Sequence, residues 1–206
     1  MATKNVIVDN KHFDISYEIV NPTAKKDIIF LHGWGSNKDI MKNIFSSYLK
    51  DFRHIYIDLP GFGKSLNNYV LTTKDYAEIV DEFLKLVSSS KDIIAGHSYG
   101  GKVAVLLNPK NLVLLSSAGI LEEKPFDVKA KIFFAKVFNA LGLRGITKRF
   151  RSKDVNTMSE NMYATFKNVV NEDFSSYFSN FSNNALVFWG EKDTATSLKT
   201  GKKMAI

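Results

Sequence analysis

The chain has 206 residues, 45% hydrophobic and 13% aromatic, which is enough for one domain with a full core. Its 28 basic and 21 acidic side chains give +7, yet only Arg53, Arg144, Arg149 and Arg151 are arginines and the lysines are scattered, unlike the clustered, arginine-rich charge of nucleic-acid binders. The absence of cysteine excludes disulfides and cysteine-ligated metal, and no apolar run reaches signal-peptide or membrane-span length, so a cytoplasmic protein with no metal, no cofactor, no nucleic-acid partner and no membrane span is expected.

Short β-rich runs alternate with helical patterns along the chain. Val6 to Val8 and His12 to Val20 read as two strands joined by the turn signal Asp9-Asn10-Lys11. The apolar run Asp27 to Leu31 follows and ends in His32-Gly33-Trp34-Gly35. Ile40 to Leu49 has a helical period that groups Ile40, Ile44, Phe45 and Tyr48 on one face. A strand over Phe52 to Ile57 leads into Asp58-Leu59-Pro60-Gly61-Phe62-Gly63, and an amphipathic helix from Thr73 to Ser88 turns Tyr76, Ile79, Val80, Phe83, Leu84 and Val87 inward. Asp92 to Ala95 reads as the next strand. Tyr99 to Leu107 reads as a short helix stopped by Asn108-Pro109, and Asn111 to Leu115 as another strand.

This alternation implies an α/β fold, a mostly parallel sheet with helices on both faces. Ligands of such sheets sit at the carboxyl ends of the strands. The loops bearing Trp34, Phe62 and Ser98 all follow strands and are expected on that edge. Residues 1–119 form the first part of the core. Residues 120–183, without a strand-like run, read as a helical lid insertion. Residues 184–206, with a strand over Ala185 to Trp189, return to the core.

Gly96-His97-Ser98-Tyr99-Gly100 lies between a strand and a helix, where a sharp turn pushes a serine out of the sheet as a nucleophile. Glycines around Trp34 let the backbone aim an N–H at a reacting carbonyl oxygen. The Trp34 and Tyr99 N–H groups form the expected oxyanion pair, with Gly33 and His97 beside the substrate. Gly61-Phe62-Gly63-Lys64-Ser65 imitates the end of a phosphate loop, but Asp58 stands where that loop needs glycine. Beyond the last strand, Asp193 or Glu191 is placed to orient a histidine. The lid interval carries Lys129, Lys131, Lys136, Arg144, Lys148, Arg149, Arg151 and Lys153 with no acid between them, and Val128, Ile132, Phe133, Val137 and Leu141 are interleaved at helical spacing. Such a stretch reads as a solvated amphipathic face, or as a docking surface for an acidic protein partner or an anionic lipid surface.

Together, Leu31 to Gly35, Asp58 to Ser65, Gly96 to Gly101 and Gly190 to Asp193 resemble the α/β-hydrolase superfamily, nearest in motif to its carboxylesterase and meta-cleavage-product hydrolase branch. The resemblance implies Ser98 as nucleophile, Asp193 as triad acid, and Trp34 and Tyr99 as oxyanion donors. It also implies a small-molecule ester, or a ketone cleaved at the adjacent carbon–carbon bond, as substrate. Members carry the triad histidine after one further strand. Here all four histidines, His12, His32, His54 and His97, precede Ser98, and the thirteen residues after Asp193 contain none. The last strand, histidine loop and closing helix are therefore expected to be missing, as in a C-terminally truncated hydrolase or a non-catalytic relative that binds an acidic carrier protein. His32, on the neighbouring strand end, is not expected to act as the base, because the family pattern turns it behind the oxyanion loop.

Overall fold

The computed structural model describes residues 2–121 and 158–204. Seven strands form one sheet: β1 (Ala2–Val8), β2 (Lys11–Val20), β3 (Lys26–Leu31), β4 (Phe52–Ile57), β5 (Ile93–His97), β6 (Asn111–Leu115) and β7 (Asn184–Phe188). Their spatial order is β1-β2-β4-β3-β5-β6-β7. The first pairings, β1 with β2 and β2 with β4, are antiparallel, and the remaining four are parallel. The β1–β2 hairpin closes through Asp9 (φ 49°) and Asn10 (φ 59°), two residue types that tolerate the left-handed backbone such turns require.

Six described helices connect and cover the strands: α1 (Lys38–Phe45), α2 (Thr73–Leu86), α3 (Tyr99–Leu106), α4 (Glu160–Val170), α5 (Ser175–Ser179) and α6 (Leu198–Met204). α1 starts where Asn37 Oδ1 accepts from the N–H groups of Asp39 and Ile40. α2 starts with a reciprocal cap: the Thr72 hydroxyl accepts from Asp75 N–H while the Asp75 carboxylate accepts from Thr72 N–H at 2.7 Å.

The larger core lies on the face covered by α2, α3 and α4, around Ile29, Leu31, Ile57, Phe83, Val103 and Leu114. The inward face of α2 is the one its periodicity predicted, save that Val87 is only partly buried. The face covered by α1 is smaller and centres on Ile28, Phe30, Met41 and Tyr56. Here the expected α1 stripe is corrected. Met41 and Lys38 are buried and Phe45 packs partly, whereas Ile40, Ile44 and Tyr48 are exposed. A buried partner for Lys38, described below, turns that polar residue inward and rotates the isoleucines out.

β7 is the last strand of the sheet order, and its Leu186 and Phe188 are both about half exposed. Among the described residues no helix is long and apolar enough to cross a membrane. The basic stretch at residues 129–153 and its interleaved apolar residues lie outside the described residues.

Candidate active site

The parallel registers set Leu31 beside Gly96, His97 beside Leu115, and Leu115 beside Phe188, so the loops after β3, β5 and β7 leave one edge together. The crossover from β3 through α1 reaches β4 on one side. That from β4 through α2 returns to β5 on the other. Ser98 and the Gly33–Trp34 loop thus meet where the winding reverses, the position at which open α/β sheets bind ligands.

Ser98 has φ 50° and ψ −115°, a backbone state that a side chain occupies only under strain. Hydrogen bonds hold it from both sides. Its N–H donates to Leu115 O at 3.1 Å, and its carbonyl accepts from Gly101 N–H at 3.1 Å and Ala118 N–H at 3.0 Å. The flanking glycines are required by close approach: a Cβ on Gly100 would fall 2.4 Å from Leu31 O, and one on Gly33 would fall 3.2 Å from Ser98 Cβ and 3.0 Å from His97 Nδ1. The chain thus brings Gly33, His97 and Ser98 close together.

Trp34 stacks edge-on against Tyr99, the residue after Ser98, with ring centroids 5.5 Å apart, and against Phe62 at 4.8 Å. Neither the Trp34 N–H nor the Tyr99 N–H donates to a protein acceptor among the described residues. Two unpaired backbone donors beside a serine offer a place for negative charge on a reacting oxygen.

Asp193 follows β7 on the same edge. Its Oδ1 accepts from Ala195 N–H at 2.9 Å and Thr196 N–H at 3.0 Å, and Thr196 Oγ1 lies 3.1 Å from its Oδ2. The Thr196 N–H, aided by these other donors, holds the carboxyl below its ordinary range and keeps it ionised at neutral pH. Glu191, the other acid of that loop, is exposed.

Each histidine has a defined place. His32 is fully buried: its Nε2 accepts from Leu59 N–H at 3.0 Å, so the ring proton sits on Nδ1 and is donated to Gly33 O at 2.8 Å. Burial holds it below the ordinary imidazole range, against the pull of the Gly33 carbonyl and Asp58. Both nitrogens are committed, so His32 straps the Gly33 loop to Leu59 and is not a base. His54 is buried between Tyr56 OH and Leu49 O, and His12 faces Asn5 on the hairpin. His97 is on the same edge as Ser98 and Asp193, where partial desolvation lowers its affinity for a proton and the Asp193 carboxylate opposes that shift. Among the described residues no hydrogen bond joins Ser98 Oγ to a histidine.

Sequence reasoning missed three parts of this edge. Asp58 organises the Gly61–Ser65 turn and the Gly33 loop together: it accepts from Lys38 N–H at 2.7 Å, the Lys38 ammonium at 2.8 Å and Lys64 N–H at 3.0 Å. Burial pushes its pKa up, but these donors prevail and hold it below the ordinary carboxylate range. The phosphate-loop imitation is therefore a carboxylate-centred turn, with Ser65 Oγ donating to Asp58 O and accepting from Ser16 N–H. Second, α4 packs over the Trp34 loop. Its Phe166 packs 5.4 Å from Trp34, and a cavity of about 430 Å³ lies between Trp34 and Phe62 on one side and Met158 and Met162 on the other. Third, Lys102 is buried inside α3. Only Asp58 had a signal in the sequence, as the residue out of place in the imitation loop. A larger hollow of about 640 Å³ beside α2 is lined by Glu78, Asp81, Glu82, Lys85 and Lys91 and touches none of the loops after β3, β5 and β7.

A sequence model of the alpha/beta hydrolase family matches residues 28–196, and the chain belongs to that family. It is 37% identical over 92 residues to a pimeloyl-[acyl-carrier protein] methyl ester esterase of Proteus mirabilis, covering 43% of this chain and 34% of that protein. It is 36% identical over 87 residues to a Mycoplasma pneumoniae protein named "Putative esterase/lipase 2", covering 41% of this chain and 32% of that one. The matched segments thus span about a third of those relatives' length. Among solved structures, an esterase from Exiguobacterium antarcticum superposes with a TM-score of 0.73 at 19% identity, over 98% of this chain and 86% of that one. The structure described as "Est816 as an N-Acyl homoserine lactone degrading enzyme" gives 0.71 at 22% identity, over 98% and 87%. At that identity the structural likeness speaks for the fold.

Proposed function

We propose that this chain carries the nucleophile and oxyanion site of a serine ester hydrolase. Ser98 Oγ attacks the ester carbonyl carbon and its proton passes to a base that the described residues do not supply. The Trp34 and Tyr99 N–H groups hold the resulting oxyanion, and the alcohol leaves with a proton. Water then cleaves the acyl-serine. Asp193 is the acid that orients the base in its protonated form. Gly33 and His97 border the carbonyl, residues 120–183 serve as the lid, and the cavity under α4 takes a small or medium apolar arm. What carries the reading is the strained Ser98 beside two backbone donors that have no protein acceptor among the described residues. Cleavage of a carbon–carbon bond next to a ketone uses the same attack and is the nearest alternative.

The test is covalent labelling by a fluorophosphonate, read by mass spectrometry, with imidazole supplied as an external base. Label is expected on the peptide containing Ser98 and not after Ser98→Ala. No label, or equal label in both proteins, overturns the reading. A second reading, a non-catalytic module that binds an acidic carrier protein through residues 129–153, is supported by the basic run there and by the carrier protein in the name of the Proteus relative. It predicts salt-sensitive association that survives Ser98→Ala and fails when Lys148, Arg149 and Arg151 are reversed to glutamate.

A further inference from the structure

Lys102 stands one turn into α3 and is 3% exposed. An ammonium with no partner is costly in such a place. Its Nζ donates to Val169 O at 2.8 Å and to Glu172 O at 3.0 Å. Val169 lies in the last turn of α4 and Glu172 two residues beyond its end, where the final helix carbonyls lack intrahelical partners and the dipole favours a cation. The Phe174 ring lies 5.1 Å from the same Nζ. Burial pulls Lys102 below the ordinary lysine range, and the Glu172 and Asp173 carboxylates oppose that pull.

Other side-chain hydrogen bonds of α4 run to the segment before α2. Asn161 Nδ2 donates to Asn67 O at 2.8 Å, Leu71 N–H donates to Thr165 Oγ1 at 3.0 Å, and Asn168 Nδ2 donates to Leu71 O at 3.2 Å. Lys102 is the direct hydrogen-bonded link from α3 to α4 among the described residues. One turn earlier on the same face, Tyr99 OH lies 3.5 Å from Thr73 Oγ1, which donates to the Glu172 carboxylate. Both residues of α3 therefore reach the same turn after α4, and α4 in turn sets Phe166 on Trp34 and Met162 against the oxyanion-side cavity.

We propose that Lys102 is a positioning residue, a buried cationic latch that fixes α4 to the nucleophile helix and so sets the height of the apolar cavity beside the Trp34 and Tyr99 N–H groups. Its bearing on substrate choice rests on the ester-hydrolase reading, while the latch itself does not.

Hydrogen exchange on the full chain tests it, comparing Lys102→Met, Lys102→Gln and Lys102→Arg with the parent. Amides of residues 163–170 are expected to exchange about tenfold faster in the Met and Gln variants, with α2 and β3 to β5 unchanged, because the opening is local. The Arg variant, which keeps the charge, restores protection to within about threefold. Tryptophan emission shifts red in the Met and Gln variants as Phe166 leaves Trp34, and returns with Arg. If the Met variant does not fold, the Gln variant, which keeps a donor and similar bulk, decides the comparison. Unchanged protection of α4, equal loss across the whole chain, or failure of Arg to restore what Gln loses overturns the latch. None of these readouts uses Ser98, so an unreactive serine leaves the latch standing and a failed latch leaves the serine reading standing.

Discussion

The Lys38 ammonium lies 2.8 Å from the Asp58 carboxylate, and the two side chains are 1% and 0% exposed. The pair joins the start of α1, just after the Gly33–Trp34 loop, to the turn that follows β4. Removing one member of a buried pair strands the other charge, at a cost of about 3–5 kcal/mol. Lys38→Met is therefore expected to lower stability by about 3 kcal/mol at pH 7, measured by urea unfolding. In that variant the Asp58 carboxyl loses the cation and one of its donors while its burial persists, so its pKa rises. The destabilisation then shrinks as pH falls and the stranded carboxylate takes up a proton. A penalty independent of pH between 7 and 4.5 would show that packing, not charge, joins the loops.

Strain at Ser98 gives a second expectation. At φ 50° and ψ −115° a side chain carries a cost of about 1–3 kcal/mol that glycine avoids. Glycine loses about 0.5–1 kcal/mol more backbone entropy on folding. The balance favours Ser98→Gly as a stabilising change by about 1 kcal/mol, while Ser98→Ala keeps the strained backbone and gains nothing comparable. For a domain of this size that is a rise of about 2–4 °C in Tm for the Gly variant alone. Equal melting temperatures for Gly and Ala would mean that the elbow stores no strain.

How much of this was legible in the sequence depended on whether a residue's role is local. The strands and α2 are legible because apolar spacing acts over a few residues. Gly33, Ser98 and Asp193 are assignable to one edge because each lies in a loop that follows a strand of a parallel sheet. The face of α1 could not be read, since Lys38 faces inward only because Asp58, twenty residues later, receives it. Lys102 was hidden for the same reason: its acceptors are carbonyls 67 and 70 residues away, and a backbone oxygen leaves no mark on composition. Asp58 looked like a defect in a phosphate loop until its three donors were seen together.

At the opposite end of the sheet, Asp92 knits the strand starts together. Its Oδ2 accepts from Asp27 N–H at 3.1 Å and from the Ser90 hydroxyl, and its Oδ1 pairs with the Lys110 ammonium at 2.7 Å. Desolvation works to raise its pKa. Lys110, Ser90 and the Asp27 N–H outweigh that and bring it down to about 2. A carboxylate depressed in the folded state adds stability above its unfolded pKa, near 4, and loses it as pH falls toward the folded value. The contribution is thus complete at pH 5 and above and fades between about pH 4 and pH 2. Because Lys110 is largely exposed, solvent screening limits the gain, and Asp92→Asn is expected to cost about 1 kcal/mol at pH 7. The same variant should cost progressively less below pH 4 as the parent carboxylate protonates. Urea unfolding of both proteins at pH 7, 4 and 2.5 checks the sign: a gap that widens on acidification would mean that Asp92 is not held down by its donors.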